Sequence, residues 1–223
     1  MTTEWRTLTA DDGHTFDAFV CRPAQPARGV VMVIQEIFGV NSHIRDVCER
    51  FADEGFVAVA PALFDRQQRG YESGYTEEDM ARSKSFLKDL DFDAACRDMA
   101  AVVTEFSSHG PVSVVGFCLG GSLAYLAAAR DDRLAASSCY YGRLIPEFAD
   151  ETPQCPTILH FGETDDTIPL DSVDEFRERQ PDLPVYLYPA GHGFNCDQRS
   201  AYHETSAKQA WERTLALFNS VSG

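Results

Sequence analysis

The stretch Val114 to Arg130, VVGFCLGGSLAYLAAAR, constrains the fold more than any other part of the chain. An apolar, β-branched run ends in Gly116-Phe117-Cys118-Leu119-Gly120-Gly121 and passes at once into an alanine-rich segment, so a cysteine sits at a sharp strand-to-helix turn. Such a turn presses backbone against backbone, and its flanking positions must lack side chains; Gly116, Gly120 and Gly121 meet that demand. The pattern is G-x-S-x-G with cysteine in the serine position. A helix starting at Leu119 aims its N-terminal amides at the turn, which favours both a thiolate and a developing oxyanion.

Short β-branched runs at Thr15–Cys21, Val30–Ile34, Val57–Ala60, Val112–Gly116, Ala135–Tyr140, Thr157–Phe161 and Val185–Tyr188 alternate with segments of helical period. This predicts an α/β fold with a mostly parallel central sheet flanked by helices. Ile44, Val47, Cys48 and Phe51 form one apolar stripe; Ala95, Met99, Val102, Val103 and Phe106 form a second, and Ala207, Trp211, Leu215 and Phe218 a third. With 223 residues and no shift in composition, residues 1–223 are expected to form a single domain. The segment from Asp65 to Glu78 lacks periodicity and reads either as a surface loop or as part of a substrate lid.

Acidic residues outnumber basic ones 35 to 19, and a net charge of −16 repels phosphate backbones and anionic membranes, so neither nucleic acid nor membrane is an expected partner. The first residues lack a basic region followed by an apolar one, and no apolar run approaches the ~20 residues that span a bilayer; a cytoplasmic protein is expected. The seven cysteines, Cys21, Cys48, Cys96, Cys118, Cys139, Cys155 and Cys196, are odd in number and include no Cys-x-x-Cys pair. That argues against a disulfide framework and against a structural metal, and for a reducing compartment.

A thiol nucleophile needs a base and a group to orient that base, in the chain order nucleophile, acid, histidine. ILHFGETDDTIP places a Gly-Glu-Thr-Asp loop after a late strand, where an orienting carboxylate belongs. Asp165 and Asp166 compete, and the spacing Gly162-x-x-Asp165-x-x-Ile168-Pro169 selects Asp165. LYPAGHGFN then flanks His192 with Gly191 and Gly193, which free a loop to present an imidazole. Earlier, VVMVIQEIFGVN runs a core strand into Glu36, a carboxylate that needs a partner or a task if buried. The loop after that strand nominates the backbone N–H of Ile37, beside that of Leu119, for an oxyanion hole.

DGHTFDAFVCRP, QEIFGVN, GFCLGG, the YYG at Tyr140 to Gly142, GETDDTIP and AGHGF together resemble the signature segments of the dienelactone hydrolase family of α/β-hydrolases, over nearly the whole chain. The resemblance implies an α/β-hydrolase fold and a triad of Cys118, Asp165 and His192, with Glu36 hydrogen-bonded to the resting thiol and assisting thiolate formation when substrate arrives. It implies hydrolysis of a small lactone or ester, dienelactone to maleylacetate first, by a monomer without metal or organic cofactor. Characterised members hold the substrate carboxylate with two arginines whose positions fall here near Met80 and on Cys196. Arg82 and Arg199 are the nearby replacements, and Phe38, Tyr140 and Phe194 are further candidates for substrate contact. A carboxylesterase acting on neutral esters is the alternative if neither arginine serves. A non-catalytic or redox-responsive protein of the same fold is the third reading.

Overall fold

The computed structural model describes residues 1–222. Its strands are β1 (Thr2–Thr9), β2 (Thr15–Arg22), β3 (Val30–Ile34), β4 (Val57–Pro61), β5 (Val112–Phe117), β6 (Leu134–Tyr140), β7 (Thr157–Gly162) and β8 (Val185–Tyr188). The longer helices are α1 (Ser42–Asp53), α2 (Glu77–Ser85), α3 (Phe92–Phe106), α4 (Leu119–Arg130), α5 (Leu170–Arg179) and α6 (Glu204–Val221).

All eight strands form one sheet in the order β1-β2-β4-β3-β5-β6-β7-β8, antiparallel only in the β1–β2 and β2–β4 pairs. This is the α/β-hydrolase fold. Every residue of β3, β4 and β5 is buried, as expected of parallel strands covered on both faces. One covering group is α1 with α6, where Phe51 meets Trp211 and Phe218 at ring distances of 4.4 and 5.9 Å. Another is α3 with α4, and Tyr125 of α4 meets Phe176 of α5 edge-on at 5.7 Å.

Most helix starts follow from their capping residues. Asn41 accepts from the Ile44 amide, Asp91 from that of Ala94, and Thr76 forms a reciprocal capping box with Asp79. After β3 the chain pairs β4 on one side and then returns to lay β5 on the other. The loops leaving β3 and β5 therefore diverge, opening a crevice at the carboxyl ends of the two strands. Glu36 and Cys118 stand on those two loops.

β1 is an addition to the strands that periodicity predicts. It is an edge strand with only Leu8 buried, so it carries little hydrophobic signal. The segment from Asp65 to Glu78 is tied down rather than loose. Gly39 and Glu72 form a β-bridge, Arg45 pairs with Glu72, and the Tyr71 hydroxyl lies 2.8 Å from that of Ser83. Tyr71 is buried in this way and Tyr75 packs against the core. All seven cysteines are free, and among the described residues no helix is long and apolar enough to cross a membrane.

Candidate active site

Cys118 occupies the turn between β5 and α4 with φ 56° and ψ −114°, a backbone conformation that costs a non-glycine residue about 1–3 kcal/mol. Contacts on both sides hold it there. The Cys118 amide donates to the Tyr140 carbonyl at 3.0 Å. A Cβ on Gly116 would lie 1.9 Å from the Gly120 oxygen, and one on Gly120 would lie 2.3 Å from that of Ile34, so neither position accepts a side chain. Cys118 is partly exposed. Leu119 opens α4, where the leading amides lie ahead of the first helical bond, from Gly121 to the Cys118 carbonyl, and Ile37 follows β3 on the facing loop.

His192 and Asp165 meet with Nδ1 2.7 Å from Oδ2. An Nδ1–H donated to the carboxylate leaves Nε2 as the working nitrogen. Thr167 braces the pair, its hydroxyl donating to Asp165 Oδ1 at 2.7 Å and its amide to the same oxygen at 2.8 Å. Burial alone would raise the Asp165 carboxyl, but His192 and these two bonds hold it below its ordinary value. Burial opposes an imidazolium at His192, yet the charges of Cys118 and Asp165 outweigh it and raise His192 to about 10. Asp166, the competing carboxylate, is exposed.

Glu36 is 1% exposed. Its Oε1 accepts from Arg199 Nη1 at 3.2 Å, while Oε2 has no hydrogen-bond partner, so the structure pairs this carboxylate with an arginine rather than with the Cys118 thiol. Arg199 arrives over the loop that follows His192. Gly193, at φ 82°, makes the room, because a Cβ there would lie 2.6 Å from the Arg199 guanidinium. That guanidinium stands 5.7 Å from the ring centre of Phe38 and 5.6 Å from that of Tyr75.

Other expected contacts fall elsewhere. Arg82 is exposed on α2, 5.2 Å over the Tyr71 ring and beside Gln68, because α2 turns Ser83 inward instead. Tyr140 is fully buried, with its hydroxyl 2.8 Å from that of Thr214 and its ring on His160, so its side chain points away from the crevice. The next residue, Tyr141, takes the site-facing position that Tyr140 was expected to hold. At φ 37° its ring lies 5.1 Å from that of His192, and its buried hydroxyl has no partner. Phe194 is buried against Tyr141 and Tyr188. Cys196 is buried too, its thiol donating to the Tyr75 hydroxyl at 3.3 Å.

Tyr75 beside Arg199, Thr167 on Asp165 and Tyr141 beside His192 are neighbours of the candidate residues that sequence reasoning missed. Only Thr167 carried a local signal, the two-residue step from an aspartate that favours a turn closed by its side chain.

A profile of the dienelactone hydrolase family matches residues 16–222. A Synechocystis protein named "Putative carboxymethylenebutenolidase" is 38% identical over 85% of this chain and 85% of its own length. The carboxymethylenebutenolidase of Pseudomonas putida is 34% identical over 96% of this chain and 95% of its own. A crystal structure titled "Putative Dienelactone Hydrolase", from Klebsiella pneumoniae, superposes with a TM-score of 0.85 at 30% identity, covering 98% of this chain and 99% of that one.

Proposed function

The chain belongs to the dienelactone hydrolase family and is a carboxylic ester hydrolase, and on that premise we propose that Cys118, His192 and Asp165 open a small lactone through a thioester. The Cys118 sulfur attacks the ring carbonyl, and the amides of Leu119 and Ile37 receive the oxyanion. Collapse of the tetrahedral species breaks the ring C–O bond, and the imidazolium of His192 gives its Nε2 proton to the departing enolate oxygen. Neutral His192 then takes a proton from water, whose oxygen attacks the thioester and releases the open-chain acid with return of the thiol. Asp165 holds the tautomer throughout.

The observation that carries this reading is the 2.7 Å bond between His192 and Asp165, on a histidine whose charged form Cys118 also stabilises. The pairing of Arg199 with Glu36 supports a gate. A substrate carboxylate competes with Glu36 for the Arg199 guanidinium, and the released glutamate turns toward the thiol, takes its proton and passes it to His192 Nε2, which forms the imidazolium used in ring opening. The same pairing favours a second reading, hydrolysis of neutral esters, in which Arg199 stays with Glu36 and takes no part in recognition.

The decisive measurement is the loss of ultraviolet absorbance of cis- and trans-dienelactone with wild type beside Cys118→Ala. Turnover by the wild type and none by the variant is expected. A folded wild type that leaves both lactones intact but acylates Cys118 with an activated neutral ester would select the second reading. Equal turnover by the two proteins would remove Cys118 from the chemistry.

A further inference from the structure

Between α1 and the loop after His192 lies a group of side chains that ester hydrolysis does not require together. A nitrogen of His43, an oxygen of Glu36 and the Cys196 sulfur lie within 4.8 Å of one another, and all three residues are buried. His43 and Glu36 are each 1% exposed and Cys196 is 0% exposed. Glu36 Oε2 and His43 Nε2 have no hydrogen-bond partner. Each residue's other polar atom is engaged or faced, Glu36 Oε1 by Arg199 at 3.2 Å and His43 Nδ1 by the Asp197 carboxylate at 3.6 Å.

An orphaned carboxylate oxygen and an orphaned imidazole nitrogen are costly to bury, and a thiol beside them adds a third donor of ligand type. We propose that Glu36, His43 and Cys196 form a binding site for a divalent transition-metal ion, zinc(II) before others. Sulfur, imidazole nitrogen and carboxylate oxygen make the mixed donor set that zinc takes with one position left for water. Zinc bonds of ~2.0–2.3 Å put ligand atoms roughly 3.5 Å apart, so closing the site takes a contraction of about an ångström.

The surroundings fit. A carboxylate facing the second nitrogen is what orients a ligating histidine, and Asp197 stands there. The Tyr75 hydroxyl, which now accepts from Cys196, can turn its proton toward a thiolate. On binding, Cys196 releases one proton to solvent, so the ion meets two anionic ligands, with Arg199 and Asp197 balancing each other outside them. The bound ion holds Glu36 and keeps it from the gate proposed above, so metal restrains turnover. Spacing along the chain gave no sign of this site because its three residues come from the loop after β3, from α1 and from the loop after His192.

The test uses full-length Cys118→Ala protein, which lacks the reactive thiol, so its outcome is independent of the hydrolytic reading. Titration with Co²⁺ alone should saturate at one ion per chain with a thiolate-to-metal absorption band. That band should vanish in Cys118→Ala/Cys196→Ser. In the His43→Gln background affinity should fall about tenfold or more, since losing a ligand costs at least what losing its orienting partner does. Zn²⁺ should displace Co²⁺ and raise the thermal midpoint of the parent more than that of either ligand variant. Circular dichroism checks folding, and if Cys196→Ser fails to fold, His43→Gln decides. Absence of saturable binding by folded protein, a band unchanged in folded Cys118→Ala/Cys196→Ser, or an affinity unchanged in folded Cys118→Ala/His43→Gln would overturn the site.

Discussion

Arg199 Nη1 and Glu36 Oε1 lie 3.2 Å apart, joining the loop that carries His192 to the loop that leaves β3. The pair is shielded, with Glu36 1% and Arg199 17% exposed at the side chain, so it resists screening better than the surface ion pairs elsewhere on this acidic protein.

If Arg199 recognises a carboxylate, Arg199→Gln removes a charged hydrogen bond of about 1.5–3 kcal/mol from substrate binding. KM for a carboxylate-bearing lactone is expected to rise at least about tenfold, with little change in KM for a neutral ester. Parallel changes for both substrates would restrict Arg199 to a structural part.

Thr167 acts on Asp165 rather than on substrate. Thr167→Val keeps the shape and removes the hydroxyl that donates to Asp165 Oδ1 at 2.7 Å. We expect kcat to fall by about tenfold, the value of one such bond, with KM unchanged and the His192 limb of the pH–rate profile moved. A change confined to thermal stability would disprove the positioning role.

The His192 value of about 10 lies above its ordinary 6.5, so its contribution to stability is complete below pH 6.5 and is lost as pH rises through about 10. Thermal midpoints measured from pH 6 to 10.5 should show this extra decline in wild type and lack it in His192→Gln. Parallel curves for the two proteins would contradict it.

Gly120→Ala places a Cβ 2.3 Å from the Ile34 oxygen and 2.6 Å from that of Gln35, both backbone atoms that cannot swing aside. Destabilisation of about 3 kcal/mol or more is expected by chemical denaturation, at the upper end for overpacking. A variant as stable as wild type would mean that the elbow and β3 are less tightly apposed.

What could be read in the sequence was local. The elbow, the Asp165 loop and the His192 loop each declare themselves within a few residues, because backbone bends need glycine and each bend follows a strand. The surroundings of Glu36 and His192 were not legible, since Tyr75, Tyr141 and His43 acquire their places only when distant segments meet. Tyr140 is nominated for substrate contact from its sequence neighbourhood, but the alternation of side chains along a strand sends it toward Thr214 of α6. Of the two arginines proposed to replace the family's own, distance along the chain did not distinguish them. Gly193 leaves room for Arg199, whereas α2 leaves Arg82 facing outward.

Helices α1, α2, α3 and α6 each begin with a side chain that accepts from a first-turn amide, but Cys118 before α4 makes no such bond. Its positive φ lies outside the extended region from which a capping side chain reaches back, so serine or aspartate at this position would gain little of the ~1 kcal/mol that a cap confers. The fold thus forgoes a local stabilisation that any ordinary helix start would accept. An oxyanion held by the Leu119 amide as proposed would act as a transient cap, and α4 would then be more firmly anchored midway through the reaction than before or after it.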